Sequence, residues 1–263
     1  MTEDAPMIDT TVPHSARIWN YWLGGRDNYA VDRSAGDDYC RIFPEMRQVA
    51  RASRDFLGRT IRYLAREVGI TQFVDIGTGL PTMDNTHQIA QRVHPDARIV
   101  YVDNDPLVIA TARALMTSGP RGTTDYVHAD LRDPKAVLAA VDHTLDLARP
   151  VGLILSGVLG HVADYREAGD IVRTLLEPLS PGSHLSASDG ATGRPAFAEA
   201  QSLYNRTGAV PYHLRTHAEI AGFFDGLELV EPGVVSCPLW RPPPGARPGR
   251  ADLEIVGGVG RKS

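Results

Sequence analysis

Short apolar runs alternate along the chain with segments of helical periodicity. Seven runs predict strands, at positions 71–76, 98–103, 123–128, 151–156, 183–188, 227–235 and 252–259. The first five are separated by segments of helix length, as expected for buried parallel strands joined by crossover helices. Only a proline-rich stretch at 241–250 separates the last two, which predicts an antiparallel pair. The pattern therefore predicts an α/β, Rossmann-like fold with a doubly wound, seven-stranded and mostly parallel sheet.

The helical segments show apolar faces and capping signals. Ala50, Leu57, Ile61, Leu64 and Val68 lie on one face and predict a long helix before the first strand. Further helix starts are indicated by an N-cap residue followed by a proline or by an acidic residue three positions on: Asp105 with Pro106, Asp164 with Glu167, and Thr216 with Glu219.

About 70 residues precede the first strand and have helical patterns. They are too few to form a strong core of their own. We interpret residues 1–70 as a helical cap on the sheet and residues 71–263 as the domain that contains it.

Composition and charge exclude several classes of protein. The 263 residues are 43% hydrophobic and carry a formal charge of -5, which disfavours nucleic-acid binding by bulk electrostatics. Cys40 and Cys237 form no CxxC or Cys/His pattern, which disfavours a disulfide framework or a bound metal and suits the reducing cytoplasm. No apolar run is long enough to span a membrane, and the N-terminus has no apolar signal core. We expect a cytoplasmic protein with no membrane or nucleic-acid partner.

The residues after the first strand form a candidate ligand-binding loop. Ligands of open parallel sheets bind at the carboxyl ends of the strands. Here the sequence FVDIGTGLPT spans 73–82, where Gly77 and Gly79 allow close approach of the backbone to a ligand. The following helix would direct its positive end to the same place. Asp75 precedes the two glycines at the end of the strand.

Three more strand ends carry polar or small residues. Asp103 ends the second strand, where a carboxylate can accept hydrogen bonds from both hydroxyls of a ribose. Asp130 follows the third strand and suits an exocyclic adenine amine. The sequence SGVLGHV, at 156–162, follows the fourth strand. Together these positions predict a ligand that contains a nucleoside.

The charge of the loop distinguishes between two such ligands. A loop that binds a nicotinamide dinucleotide usually has the sequence G-x-G-x-x-G, but here Thr82 occupies the position of the third glycine. Asp75 would also repel phosphate groups, whereas it would attract a cation. S-adenosylmethionine has a ribose, an adenine, an ammonium and a sulfonium, and it carries no phosphate. The loop therefore favours S-adenosylmethionine as the cofactor.

These segments resemble a known superfamily. FVDIGTG, YVDNDP and HADL resemble motifs I, II and III of class I S-adenosylmethionine-dependent methyltransferases. The segments at 13–33, 79–90 and 223–235 (PHSARIWNYWLGGRDNYAVDR, GLPTMDNTHQIA and FFDGLELVEPGVV) are similar to the actinobacterial S-adenosyl methyltransferase family, long classed as a domain of unknown function. The resemblance implies the fold and the cofactor but no substrate. Leu80-Pro81 departs from the general motif I, which often has a third glycine, yet belongs to the narrower family's pattern.

The resemblance also implies roles for individual residues. The methionine portion of the cofactor would lie against the first loop and the end of the fourth strand, at Asp75, Gly77, Gly79, Ser156 and Gly157. The ribose would bind Asp103, and the adenine would lie near Asn104, Asp130 and Leu131.

The N-terminal motif has two interpretations. Its residues from Arg17 to Trp22 are predicted to form a short helix that ends at Gly24-Gly25. In the structural interpretation, its aromatic residues simply cover the sheet. In the functional interpretation, the motif is a lid over the cofactor, with Tyr21 and Asp27 in catalytic positions and Asn28 against the cofactor.

Methyl transfer needs a general base only where the acceptor keeps its proton at neutral pH. His161 is the best-placed candidate, although a merely structural histidine is the alternative. Lower-ranked candidates for the acceptor pocket are Tyr204, Asn205, His213 and Arg215.

The absence of an NPPY-type motif disfavours a nitrogen of DNA or of a protein amide as the methyl acceptor, so we expect a small-molecule acceptor. A module that binds the cofactor without turnover and a nicotinamide-dependent oxidoreductase are the alternative functions; the methylated atom and the oligomeric state stay open.

Overall fold

The computed structural model describes residues 9–81, 84–243, 245 and 253–263, and in them strands and helices alternate as predicted. The strands are β1 (Gln72–Ile76), β2 (Arg98–Asp103), β3 (Thr123–His128), β4 (Gly152–Ser156), β5 (His184–Gly190), β6 (Glu228–Leu229), β7 (Val235–Ser236) and β8 (Ile255–Arg261). The helices are α1 (Ser15–Trp22), α2 (Ala30–Ile42), α3 (Met46–Tyr63), α4 (Thr86–Val93), α5 (Pro106–Leu115), α6 (Pro134–Val141), α7 (Tyr165–Leu176), α8 (Pro195–Tyr204) and α9 (His217–Gly222).

The strands form one doubly wound sheet in the order β3-β2-β1-β4-β5-β8-β6, and β7 also pairs with β8. Strands β1 to β5 are parallel, and β8 runs antiparallel to β5. The first five predicted strands and the antiparallel end of the sheet are thus confirmed. The carboxyl ends of β1 to β4 lie at one edge, with the order reversing between β1 and β4.

The sixth predicted strand, 227–235, is interrupted and forms two short strands along the same edge of β8. Leu229 pairs with Gly260, and Val235 pairs with Gly257. Between them Pro232 lacks the N–H that a ladder requires, and Gly233 turns the chain with a φ of 84°. The structure therefore has a broken sixth strand where the apolar pattern predicted a continuous one. Most of the proline-rich stretch 241–250 and the start of the last predicted strand lie outside the described residues.

Alternate residues of the central strands enter two hydrophobic cores on opposite faces of the sheet, as strand geometry requires. In β1, Phe73 joins the first core and Val74 the second. The first core also contains side chains from the N-terminal helices, namely Ile18, Trp22, Tyr39, Phe56 and Ile61. The N-terminal helices therefore pack directly on the sheet and share its core.

The predicted helix starts are confirmed by their capping hydrogen bonds. The side chain of Asp105 accepts from the N–H of Leu107 at 2.8 Å, and that of Asp164 accepts from the N–H of Glu167 at 2.9 Å. Thr216 and Glu219 form the reciprocal capping box of α9. The long predicted helix is α3, which continues into a π-helical turn at Leu64–Val68. Of the described helices, none is long and apolar enough to cross a bilayer.

A buried ion pair holds the N-terminal segment together. Arg17 Nε lies 2.9 Å from Asp32 Oδ2, and the two side chains are 5% and 0% exposed. Arg17 also donates to the carbonyl oxygens of Asp9 and Val12. Asp32 accepts from the N–H groups of His14 and Tyr29 at 2.9 and 2.8 Å. The pair therefore joins α1, the start of α2 and the segment before α1.

Replacing Arg17 by Ala should destabilise the fold strongly, because it leaves the Asp32 carboxylate buried without its cationic partner. We expect the free energy of unfolding to fall by about 3–5 kcal/mol in urea denaturation. The matched control is Arg26→Ala, which removes an exposed arginine of the same motif and should change it by less than about 0.5 kcal/mol. A loss below about 1 kcal/mol for Arg17→Ala would show that the ion pair does not hold the segment.

Candidate functional site

A cavity of about 270 Å³ lies at the carboxyl ends of β1 to β4 and is lined on its other side by helices of the N-terminal region and α8. This is where the topology of an open parallel sheet places ligands. Ten of the predicted site residues line it: Asp75, Gly77, Gly79, Asp103, Asn104, Asp130, Leu131, Ser156, Gly157 and His161.

The loop after β1 brings backbone close to the cavity through two glycines. Gly77 has a φ of 74°, and a Cβ there would lie 2.4 Å from a methyl carbon of Val158. Gly79 has a φ of 64°, and a Cβ there would meet no atom within 4 Å. Gly77 is therefore required for packing, whereas Gly79 leaves open space at the cavity. Thr82, whose side chain replaces the third glycine of a dinucleotide loop, lies outside the described residues.

The Asp103 carboxylate ties the loops after β1 and β2 together. One oxygen accepts from the N–H of Gly79 and the other from the N–H of Asp105, each at 3.0 Å. Burial raises the pKa of Asp103, and these two hydrogen bonds oppose that shift. The carboxylate is consequently fixed in orientation, and each oxygen retains a lone pair for a ligand hydroxyl.

Asp130 is held by a neighbouring arginine. Its Oδ2 lies 2.7 Å from Arg132 Nη2, and its Oδ1 accepts from the backbone N–H of Arg132 at 2.9 Å. The hydrogen bond from the Arg132 side chain lowers the pKa of Asp130. The carboxylate is therefore ionised at neutral pH and acts only as an acceptor.

Asp75 is the buried carboxylate of the site. It is 6% exposed, and its Oδ2 accepts from the Thr86 hydroxyl at 2.5 Å. Burial raises the pKa of Asp75 to about 6, while the Thr86 hydrogen bond and the charge of Arg54 act in the opposite direction. A positively charged ligand group beside Asp75 would favour its ionised form.

His161 presents an unprotonated nitrogen. Its Nδ1 lies 2.8 Å from the carbonyl oxygen of Pro211. Because a carbonyl can only accept, this contact assigns the proton to Nδ1 and leaves a lone pair on Nε2. Burial lowers the pKa of His161 below its ordinary 6.5, and the Pro211 carbonyl opposes the shift. At neutral pH the ring is therefore uncharged and carries a basic nitrogen.

Tyr212 supports the ring of His161 and connects it to a buried carboxylate. The two rings pack edge to face with centroids 5.2 Å apart. The Tyr212 hydroxyl donates to Asp189 and accepts from the N–H of Gly190 at 2.9 Å. A Cβ at Gly160 would lie 2.3 Å from Cζ of Tyr212, so the tyrosine requires this glycine. Burial raises the pKa of Asp189 to about 6.

None of the four lower-ranked acceptor residues lines the cavity, although two of them support it. The Asn205 side chain donates to the carbonyl of Tyr212 and accepts from its N–H, each at 2.9 Å. Arg215 is buried and donates to carbonyl oxygens of the segment that carries His161. Tyr204 packs in the first core, and His213 is exposed.

The expectation that Tyr21 faces the cleft is corrected by its contacts. The Tyr21 hydroxyl donates to Asp37 Oδ1 at 2.7 Å and accepts from Arg47 Nη2 at 2.8 Å. The Tyr21 side chain thus points towards α2 and α3. Its neighbours on α1 point in other directions, because successive residues of an α-helix are rotated by about 100°. Tyr21 does not line the cavity.

Asp27 and Asn28 are also not among the residues that line the cavity. Asp27 is exposed, and its N–H donates to Asn20 Oδ1 at 3.1 Å. The Asn28 side chain donates to the same oxygen at 3.0 Å and to the carbonyl of Gly25 at 2.9 Å. These hydrogen bonds close the loop after α1. A Cβ at Gly25 would overlap the Asn20 amide, and Gly24 has a φ of 84°, so each glycine of the pair has its own reason.

Helix α1 nevertheless contributes to the site through other residues. His14, Trp19 and Asn20 line the cavity. His14 Nε2 lies 3.1 Å from Asp105 Oδ2, in the loop that also holds Asp103. The N-terminal motif indicated a lid, but which of its side chains face the cavity depends on how α1 packs.

Comparison with known proteins identifies the family. The family model described as S-adenosyl methyltransferase matches residues 1–263. The chain belongs to the S-adenosyl methyltransferase family. It is an S-adenosylmethionine-dependent methyltransferase, and the open positions at Gly79 and Gly157 leave room for that cofactor at the strand ends. Among curated proteins, no significant match is found.

Two similar solved structures cover the whole fold. A DUF574 family protein from Streptomyces avermitilis is 45% identical, with a TM-score of 0.92, over 98% of this chain and 100% of its own. A candidate methyltransferase from Thermobifida fusca is 37% identical, with a TM-score of 0.90, over 100% of both chains. An O-methyltransferase family protein from Burkholderia thailandensis shares only the fold, at 17% identity and a TM-score of 0.55, over 85% of this chain and 62% of its own.

Replacing His14 by Ala should weaken cofactor binding by removing the contact between the cap and the loop after β2. We expect the Kd for S-adenosylhomocysteine, measured by calorimetry, to rise about tenfold, which corresponds to about 1.4 kcal/mol. His213→Ala removes an exposed histidine outside the cavity and should leave the Kd within about twofold. Equal affinities of the His14 variant and the unmodified protein would contradict a role of the cap in binding.

Proposed function

We propose that this enzyme transfers the methyl group of S-adenosylmethionine to a small molecule and that His161 takes the proton of the acceptor. One observation carries the proposal: the unprotonated Nε2 of His161 belongs to a ring that lines the same cavity as the glycine loop of Gly77 and Gly79. A base and a cofactor loop in one cavity suit acceptors that keep their proton at neutral pH.

The cofactor would be held by the strand ends. Asp103 suits the ribose hydroxyls, because its two oxygens are already oriented by backbone N–H groups. Asp75 suits the positive charge of the methionine portion, and Gly79 and Gly157 leave space for it. The adenine would lie near Asn104, Asp130 and Leu131, with Ser156 at the methionine end.

The chemistry needs little from the protein beyond positioning. The bound cofactor supplies a methyl group already activated by its sulfonium. The protein must hold the acceptor in line with that methyl group and exclude water. His161 Nε2 accepts the acceptor's proton, and the Pro211 carbonyl then stabilises the resulting imidazolium through Nδ1.

The acceptor is proposed to be a small molecule rather than a nucleic acid. The cavity is bordered by helices on the side opposite the strand ends, and the chain has a formal charge of -5, which repels a phosphate backbone. We also propose that the enzyme acts in the reducing cytoplasm, because Cys40 and Cys237 are both free thiols.

Removing the base should affect turnover and not cofactor binding. We expect His161→Gln to lower kcat by about 10²–10⁴-fold, while the Kd for S-adenosylhomocysteine stays within about threefold. In the unmodified enzyme, kcat should rise with pH as His161 loses its proton, with a midpoint below pH 6.5 because burial lowers its pKa. His143→Gln, which replaces an exposed histidine after α6 that does not line the cavity, is the matched control and should leave both parameters unchanged. An unchanged kcat in His161→Gln would contradict the general-base role.

Cofactor binding should release a proton below pH 6. The free protein holds a proton on Asp75 in this range, since burial raises its pKa to about 6, and a ligand ammonium would expel it. Calorimetric titration with S-adenosylhomocysteine at pH 5.5, in buffers of different ionisation enthalpy, should show about half a proton or more released, and close to none at pH 8. The release should vanish in Asp75→Asn and persist in His161→Gln. Release that persists in Asp75→Asn would assign the proton to another group.

A further inference from the structure

The cavity continues beyond the strand ends into a part lined by five aromatic side chains and one glutamine, which we name the aromatic chamber: Trp19, Trp22, Tyr39, Phe197, Gln201 and Tyr212. Contacts join these residues into one wall. Trp22 packs edge to face with Trp19 and with Tyr39, at centroid distances of 6.0 and 5.0 Å. Tyr39 packs in the same way against Phe197 at 6.3 Å.

The wall also reaches the base. The Tyr39 hydroxyl donates to Gln201 Oε1 at 3.1 Å, and Gln201 Nε2 donates to Asn205 Oδ1 at 2.9 Å. Asn205 holds the backbone of Tyr212, whose ring packs against His161. Contacts therefore run without interruption from the tryptophans of α1 to His161.

The chamber carries no charged side chain among the described residues that line it. The aspartates and arginines of the cavity lie elsewhere: Asp75, Asp103, Asp130 and Arg132 are at the strand ends, and Arg54 is on α3 near Asp75. Gln201, Trp22 and Tyr39 are buried, at 8%, 5% and 2% exposure. Transferring a carboxylate or an ammonium group into such surroundings is costly without a partner of opposite charge. An uncharged ring, by contrast, would pack favourably against the aromatic wall.

We propose that the methyl acceptor is an uncharged aromatic hydroxyl compound, bound in the aromatic chamber with its hydroxyl at His161. This inference rests on the proposed function. The hydroxyl oxygen forms a bond to the methyl carbon as the carbon–sulfur bond breaks, with its electron pair left on sulfur. The hydroxyl proton moves to His161 Nε2 and then to solvent. An aromatic hydroxyl keeps its proton at neutral pH and so requires the uncharged histidine that the site provides.

The acceptor class is tested with matched compounds. The enzyme and S-adenosylmethionine are incubated with two uncharged hydroxyarenes, namely 4-methylcatechol and 2-naphthol. Comparison compounds are the anionic 3,4-dihydroxyphenylacetate, the cationic dopamine and the non-aromatic cyclohexane-1,2-diol. Methylated products and S-adenosylhomocysteine are measured by mass spectrometry. We expect methyl ethers from the hydroxyarenes, with kcat/KM for 4-methylcatechol at least tenfold above those for the three comparison compounds.

Two results would overturn the inference. One is a comparison compound methylated as well as 4-methylcatechol. The other is the absence of any methylated hydroxyarene while S-adenosylhomocysteine still binds. Failure of S-adenosylhomocysteine to bind would instead overturn the proposed function, so the two failures are distinguishable.

A charge placed in the chamber provides a second test. Gln201→Glu preserves the shape of the side chain and an oxygen that accepts from Tyr39, and it removes the donor to Asn205 Oδ1, which still accepts from the N–H of Tyr212. We expect it to reduce the preference for 4-methylcatechol over dopamine at least tenfold, because the ammonium group of dopamine is the opposite charge that favours the ionised form of the buried glutamate. The matched control is Gln48→Glu, an exposed position on α3, and thermal melting confirms that both variants fold. An unchanged preference in Gln201→Glu would show that the acceptor does not occupy the chamber.

Discussion

The strand-end side of the cavity depends on one carboxylate. Asp103 accepts the N–H of Gly79 from the loop after β1 and the N–H of Asp105 from its own loop, so two strand ends are held in register. Asp105 in turn contacts His14, whose backbone N–H donates to the buried carboxylate of Asp32. A continuous set of contacts therefore links the glycine loop to the ion pair that fastens the N-terminal helices. The geometry of the glycine loop is consequently coupled to the position of the N-terminal helices.

The side of the cavity that His161 lines depends instead on the packing and hydrogen bonds of Tyr212. Tyr212 lies against Gly160 and Gly190, where larger residues would collide with its ring or the neighbouring side chains. Its position holds His161 at the cavity, and the preceding carbonyl of Pro211 assigns the tautomer. A neutral base beside an aromatic wall contrasts with the acidic strand ends opposite. In the proposed function, that contrast would separate the site of the cationic cofactor from the site of the acceptor.

The residues at the strand ends could be predicted from the sequence, whereas most of those around His161 could not. Strands β1 to β5 and the residues at their ends were predictable, because short strand-like runs that end near a glycine or aspartate have a local signature. The break in the sixth strand was missed, although Pro232 and Gly233 within the run 227–235 are a local signal for it. Tyr212 and Gln201 carry no local signal, as only tertiary packing brings them to His161. The N-terminal motif indicated a cap but not which face of α1 lines the cavity.

In the proposed site, the cofactor lies across the strand ends with its sulfur directed towards His161 and the aromatic chamber. A crystal structure of the protein with S-adenosylhomocysteine tests this placement most directly. We expect the ribose hydroxyls on Asp103, the amino group near Asp75, and the sulfur facing the side of the cavity that His161 lines. A sulfur directed away from His161, or a nucleoside bound outside this cavity, would contradict it.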